Sequence, residues 1–430
     1  MSPPLNIGIA GLGTIGGGTF KLLMEQAEII ERRAGRALRL VAVADPDTAK
    51  MKEAEKNGIR CYADALPMAA EDDIDVVVEL IGGSDGIAKK LCEVAIKNAK
   101  HVVTANKALI AHHGMALALA AEDAGVTLAY EAAVAGGIPI IKSLREGLAA
   151  NNLGRVYGIF NGTCNFILSA MSEQGREFEE VLAECQKLGY AEADPSFDID
   201  GIDTAHKLSI LASVAFGGEI NFGAVHVEGI RHISPMDMKF AKELGYTIKL
   251  LGIATLGDDG LEQRVHPCMV PSSAPIAHVS GSLNAVVADG DFCDTIVHQG
   301  HGAGAGPTAS AVAADLIDIA RGLGVPTFGV PASELKSIPP VPMERHFGAY
   351  YVRLMVVDEP GVLADISAAL KDHSVSVESI LQRTRDPDEA VPVVMTLHET
   401  EEAAMFLALE KIAAIKAVVE PPRMIRIENL

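Results

Sequence analysis

Along the first 150 positions, short apolar runs alternate with segments of helical period. LNIGIA (residues 5–10), LRLVAVAD (38–45), IDVVVELIGG (74–83) and HVVTANK (101–107) are near-continuous in apolar residues, as buried parallel strands are. Helical patterns over about 19–34 and 86–99 separate them. This alternation predicts a doubly wound α/β sheet. VTLAYE adds a strand, AAVAGGIPII (132–141) and a helix through Ala149 follow, and 153–171 reads as strand, loop and helix. Gly201 breaks the chain before an apolar helix from about Ile202 to Phe216, and 306–322 forms a late helix. Residues 331–348 are proline-rich and read as a linker. Beyond them the order strand, helix, strand, strand, helix, strand is ferredoxin-like.

These patterns divide the chain into 1–131 with a return helix at about 304–325, then 132–303, the linker 331–348 and a last unit over 349–430. Charge and composition narrow the class. A net charge of −21 excludes a nucleic-acid binder, which needs clustered Lys and Arg. No apolar run approaches the roughly 18 residues of a membrane span. The six cysteines are scattered without a CxxC pair, and MSPPLNIGIAGLG enters a strand with no basic leader. Both point to reduced thiols in the cytoplasm.

The chemistry begins at GLGTIG, where Gly11, Gly13 and Gly16 sit between a strand and a helix. That order lets backbone approach a pyrophosphate, with helix amides facing its charge. Asp45 ends the second strand, placed to accept hydrogen bonds from an adenosine ribose. An acid there followed by Pro46 leans toward NAD, while Lys50 and Lys52 keep NADP open. Lys107 lies at the carboxyl end of a parallel strand, where nicotinamide or substrate would meet it.

GYAEADPSFDIDGIDTAHKLSIL (189–211) places Glu192, Asp194, Asp198, Asp200 and Asp203 before a lone Lys207. Asp203 and Lys207, four apart, share a helix face with Ile210, Leu211 and Val214, so the pair heads an apolar stripe. The spacing fails the calcium-loop pattern. A small zwitterion fits better: Glu192 and Asp198 take its ammonium, while Asp203 and Lys207 handle a hydroxyl or carbonyl oxygen. An Asp neighbour keeps a lysine protonated, so Lys207 reads as a proton donor in the reducing direction. Cys164, near a helix start in NGTCN, keeps an aldehyde-oxidising thiol enzyme as a rival reading. A nucleotide-binding amino-acid sensor without catalysis is another. His298 and His301 lack a third ligand and read as polar loop residues.

Taken in order over 5–325, GLGTIG, TANKALI, YEAAVAGGIPII, NGTCNFIL, the 189–211 stretch and GHGAGAGPTASAVAADLIDIAR resemble the homoserine dehydrogenase family. The resemblance implies NAD(P)-dependent interconversion of L-homoserine and L-aspartate 4-semialdehyde, on the route to threonine, methionine and isoleucine. It implies that Lys107, Lys207 and Asp203 are catalytic and that Glu192, Asp198, Tyr190, Gly162 and Thr163 bind substrate. Thr14, Ile15, Thr104, Lys107 and Gly306 would touch cofactor. The family's sodium ion would fall on Glu131, Val134, Gly136 and Ile138. DEPGVLADI (358–366) in the last unit resembles an ACT regulatory domain, with Asp358 and Gly361 beside its amino-acid ligand. Threonine is the expected effector, and a homodimer or homotetramer the expected assembly.

Overall fold

A computed structural model describes residues 3–383 and 390–430. The first sheet is parallel, in the order Arg60–Tyr62, Leu38–Ala44, Leu5–Ala10, Val76–Glu79, His101–Thr104, Leu128–Ala129. Its strands carry Ile7, Ile9, Val43, Val76, Val78 and Val103 fully buried, which is why they read as unbroken apolar runs. The strand order reverses beside Leu5–Ala10, so the crevice at its carboxyl end opens where a dinucleotide binds in such folds.

The first helix departs from the sequence reading. It starts at Thr14 rather than near Thr19, ends at Glu25, and resumes over Ala27–Ala34. Its glycines are packing residues inside a helix. A Cβ on Gly16 would sit 1.8 Å from the Gly11 carbonyl oxygen, and one on Gly18 would sit 2.8 Å from the Ala305 carbonyl oxygen. Helix Ala305–Arg321 can therefore lie directly against it, sending Val312 and Leu316 into the core under Leu5–Ala10.

A mixed ten-stranded sheet forms the rest of the framework. Its path runs Asp294–His301, Leu283–Gly290, Leu153–Ile159, Tyr246–Gly257, Gly260–Pro271, Arg423–Ile427, Phe347–Val357, Ala390–Glu401, Val377–Leu381. The C-terminal unit has the βαββαβ order, and its last strand pairs in parallel with Gly260–Pro271, Cys268 opposite Arg426. One sheet thus crosses from the middle unit into the last. Nor is the proline-rich segment a free tether. Lys336 bridges to Gly218 and Pro340 to Leu261, while Arg345 pairs with Asp259 and His346 with Glu262. Proline lacks an amide but tolerates an extended path along an edge, so composition alone reads as a linker what packing makes a strap.

The seam is sealed by buried charge. The Arg426 guanidinium, 2% exposed, donates to Glu402, which is fully buried, and to Glu228; Arg264 donates to Glu428 at 3.0 Å. Asp237 accepts from Arg353 at 2.7 Å and from the Tyr351 hydroxyl at 3.1 Å. Removing one partner of such a network strands charge away from water. Arg426→Met should lower unfolding stability by about 3–5 kcal/mol. Denaturant unfolding checks this, and a loss below about 1 kcal/mol would mean the network is solvated.

Candidate active site

Helix Ile202–Phe216 is buried along nearly its whole length, its first turn included. Gly201, at φ 87°, ends the preceding turn and starts the helix so that Asp203 and Lys207 point into a cleft of about 410 Å³. Strand Leu153–Ile159 delivers Phe160 and Asn161 to the same place. Asn161 caps helix Gly162–Gln174, its Oδ1 accepting from the Cys164 amide at 2.8 Å. Lys107 arrives from the other domain as the first residue of helix Lys107–Asp123.

Asp203 is where these groups meet. Its Oδ2 accepts from Lys207 Nζ at 2.7 Å and from Asn161 Nδ2 at 2.8 Å, and its Oδ1 lies 3.1 Å from Lys107 Nζ. Burial pushes this carboxyl up, but Lys207 and Lys107 outweigh it and hold Asp203 well below the usual carboxylate range. Lys207 also donates to the Phe160 carbonyl oxygen at 2.7 Å. An ammonium has three N–H donors, so one remains for a ligand in the cleft. Burial lowers the Lys207 pKa, Asp203 pulls the other way, and the first effect wins.

The segment's five acids have separate fates. Asp198 lines the cleft, accepts from Asn161 Nδ2 through Oδ1 at 2.8 Å, and is pushed up by burial and by Asp203. Asp200 pairs with Arg231, and Asp194 accepts from the Ser196 amide. Glu192 is exposed and not part of the cleft lining, two residues from Tyr190, which is. Gly162 and Thr163 line the cleft, with the Thr163 hydroxyl donating to the Tyr190 carbonyl oxygen. Asn161, Ser282 and Asn284 line it too and escaped the sequence reading, and His301, read there as a polar loop residue, lines it from the end of strand Asp294–His301. Only Asn161 carried a signal, as the cap residue before a helix.

The cofactor-side positions are mixed in kind. Gly13 and Thr14 are exposed, Gly13 has open space beyond its Cα, and helix Thr14–Glu25 has no side-chain cap. Helix Ala305–Arg321, holding Gly306, is likewise uncapped. Uncapped amides suit a pyrophosphate. Asp45 instead braces the loop: its 5%-exposed carboxylate accepts from the Leu12 and Asp47 amides, with Lys50 at 3.6 Å. The Thr104 hydroxyl is turned to Glu79 at 2.6 Å.

Around Glu131 the chain coils through Ala135 and Gly136, both at positive φ. Among the described residues, the buried Val134 and Gly136 carbonyls accept no hydrogen bond, while the Ile138 carbonyl accepts from the Ile140 amide. Two unpaired buried carbonyls beside an acid fit a hard cation. The Glu131 carboxylate itself accepts from the Ile141 and Lys142 amides.

A dinucleotide sheet facing a buried Lys–Asp pair across a cleft defines an NAD(P)-dependent oxidoreductase acting on a CH–OH group. Family models for the homoserine dehydrogenase NAD-binding domain, homoserine dehydrogenase and the ACT domain match residues 11–131, 139–317 and 350–417. Homoserine dehydrogenases of Pseudomonas aeruginosa and Neisseria gonorrhoeae are 46% and 45% identical, each match covering 99% of both chains. The solved homoserine dehydrogenase of Thiobacillus denitrificans superposes at TM-score 0.93 with 46% identity over 99% of both chains. An archaeal homoserine dehydrogenase in complex with NADPH superposes at 0.63, with 28% identity over 74% of this chain and 97% of that one. The chain belongs to the homoserine dehydrogenase family.

Cys164 loses its rival role on geometry. Its thiol is fully buried, is pushed far up by burial and Asp198, and donates to the Asp198 carbonyl oxygen at 3.2 Å. A nucleophile needs the opposite environment. Cys164→Ser should therefore keep turnover within about threefold, well short of the 10²-fold or greater loss expected for a nucleophile. Abolished turnover in folded protein would restore the thiol mechanism.

Proposed function

We propose that this chain oxidises L-homoserine to L-aspartate 4-semialdehyde, and reduces the aldehyde back, in the cleft between Lys107 and Lys207. The observation that carries this reading is Asp203, one buried carboxylate holding a lysine from each domain. In the oxidising direction neutral Lys207 takes the hydroxyl proton through its free site. In reverse, the Lys207 ammonium protonates the forming alkoxide. Burial lowers its pKa, which makes the neutral, proton-accepting form more accessible than on a solvated lysine. Asp203 keeps Lys207 aimed, and Lys107 orients the oxygen or the nicotinamide. Asp198, with Gly162, Thr163 and Tyr190, receives the ammonium, and Glu192 joins from the exposed segment beside Tyr190.

Gly11, Gly13, Thr14, Ile15 and Gly16, with Thr104 and Gly306, would hold the nicotinamide cofactor, which when bound would accept or supply the hydride that leaves or enters at the substrate carbon. Asp45 and Lys50 side by side support use of both NAD and NADP. Backbone carbonyls of Glu131, Val134, Gly136 and Ile138 would hold a sodium ion. In the ACT domain, Asp358 accepts from Gln382 at 3.2 Å and Gly361 opens helix Val362–Asp372 at φ 102°. That loop binds an amino-acid effector, threonine by pathway logic, within a cytoplasmic homodimer or homotetramer. Among the described residues no helix is long and apolar enough to cross a membrane.

Initial rates of homoserine oxidation, followed as reduced cofactor with NAD and NADP in parallel and with or without threonine, test the reaction, the preference and the effector together. Lys207→Ala should lower kcat by about 10²–10⁴-fold while cofactor binding persists; near-normal turnover would overturn the role of the pair. The sodium reading predicts a higher melting temperature in sodium chloride than in choline chloride at equal ionic strength. Equal melting temperatures would remove the ion.

A further inference from the structure

Lys107 poses a positioning problem that the ion pair does not solve by itself. Its side chain is 32% exposed and spans two domains to reach Asp203. A four-carbon stem with one electrostatic contact at its tip keeps much of its rotamer freedom. A second contact is present. Lys107 Nζ lies 5.5 Å from the centre of the Phe197 ring, within cation–π range.

Phe197 is itself 43% exposed, on the single-turn helix Ser196–Ile199, and needs support. The support is His206. Its ring stacks on Phe197 at 5.6 Å and 29°, and also lies nearly parallel to Phe222 at 4.3 Å and 7°. His206 Nε2 is also 3.2 Å from Nε2 of His112, on the same nucleotide-domain helix that begins with Lys107. The rings thus close a loop: Lys107 to Phe197, Phe197 to His206, His206 to His112, and five residues back to Lys107. None of the four line the catalytic cleft except Lys107.

We propose that the Phe197–His206 stack, latched to the nucleotide domain by His112, is an aromatic shelf that fixes Lys107 for the reaction. His206 and Phe197 are positioning residues, acting through Lys107 and not on substrate. The inference rests on the catalytic reading of Lys107 given above. Its electrostatics are consistent: burial, His112 and Lys107 lower the His206 pKa to about 4, so the shelf is uncharged beside a lysine. A charged imidazole there would repel the ammonium it supports.

The test compares ring-removing with ring-keeping variants of the full chain. Phe197→Ala and His206→Ala should lower kcat for homoserine by about 10–100-fold, with the homoserine KM and the affinity for NADPH, read by fluorescence titration, within about twofold. Phe197→Tyr should recover most of the loss, because stacking survives; His206→Phe keeps the stack but loses the nitrogen that meets His112 and should recover part of it. Phe197→Leu should not, because bulk without a ring gives Lys107 no π face. Phe197 is half exposed, so its variants keep the question answerable if His206→Ala fails to fold. The shelf is overturned if Phe197→Ala leaves kcat within twofold, if Leu restores as well as Tyr, or if His206→Phe is as impaired as His206→Ala. Lys107→Ala separates the two readings. If it leaves turnover intact, the catalytic role of Lys107 falls; if it abolishes turnover while Phe197→Ala does nothing, only the shelf falls.

Discussion

A buried carboxylate that stays ionised constrains everything around it. Asp203 is 3% exposed, and an uncompensated charge at that depth would neutralise itself by taking up a proton. Three donors prevent this: Lys207 from its own helix, Asn161 from the end of a strand, and Lys107 from the opposite domain. Each fixes something else. Lys207 is turned so that the Phe160 carbonyl takes a second N–H and leaves one for the cleft. Asn161 ties the same carboxylate to Asp198 and to the N-terminus of helix Gly162–Gln174. Lys107 makes the relative placement of the two domains part of the site.

The asymmetry between the two acids of the cleft follows from the same arrangement. Asn161 donates to both acids, while both lysines make their direct contacts with Asp203; Asp198 feels them only at a distance, and burial with the like charge of Asp203 outweighs them there. One carboxylate is thereby held ionised by neighbours that are always present. The other becomes fully comfortable as an anion when a cationic ligand arrives. A zwitterionic substrate supplies that cation, so substrate binding and the charge state of the cleft complete each other.

The sequence carried the sheets and helices well wherever burial was two-sided. Helix Ile202–Phe216 and the βαββαβ unit were readable because their apolar periods run unbroken, with the charged pair of the helix confined to its first two turns. The start of the first helix was not, since Gly16–Gly18 look like loop composition and serve close backbone packing that only tertiary contact reveals. Lys107, Asp203 and Lys207 were legible through spacing and motif. Asn284 enters the cleft from a hairpin about eighty residues further on, with no local pattern to mark it, and His301 follows from the same hairpin inside GHGAGAG, where a lone histidine reads as loop polarity. Glu192 shows the converse: an acid inside the right motif whose side chain stays outside. Composition likewise hid the strap, because proline content reports what a segment lacks in hydrogen-bond donors and not what it lies against.

The continuous sheet gives the C-terminal domain a physical route to this chemistry. Strand Arg423–Ile427 pairs with Gly260–Pro271, and that strand carries Val265. Val265 and Val227 approach the Cβ position of Gly201 at 3.1 and 3.0 Å. Gly201 holds the left-handed turn from which the Asp203 helix starts, two residues before the carboxylate on which both lysines converge. The positive φ at Gly201 disfavours any residue with a Cβ, and the valine methyls would crowd one. The seam strand and the first turn of the Asp203 helix thus meet at one turn that glycine alone adopts freely. The side chains of Val265 and Val227 beside that turn are what join the seam to the helix carrying Asp203.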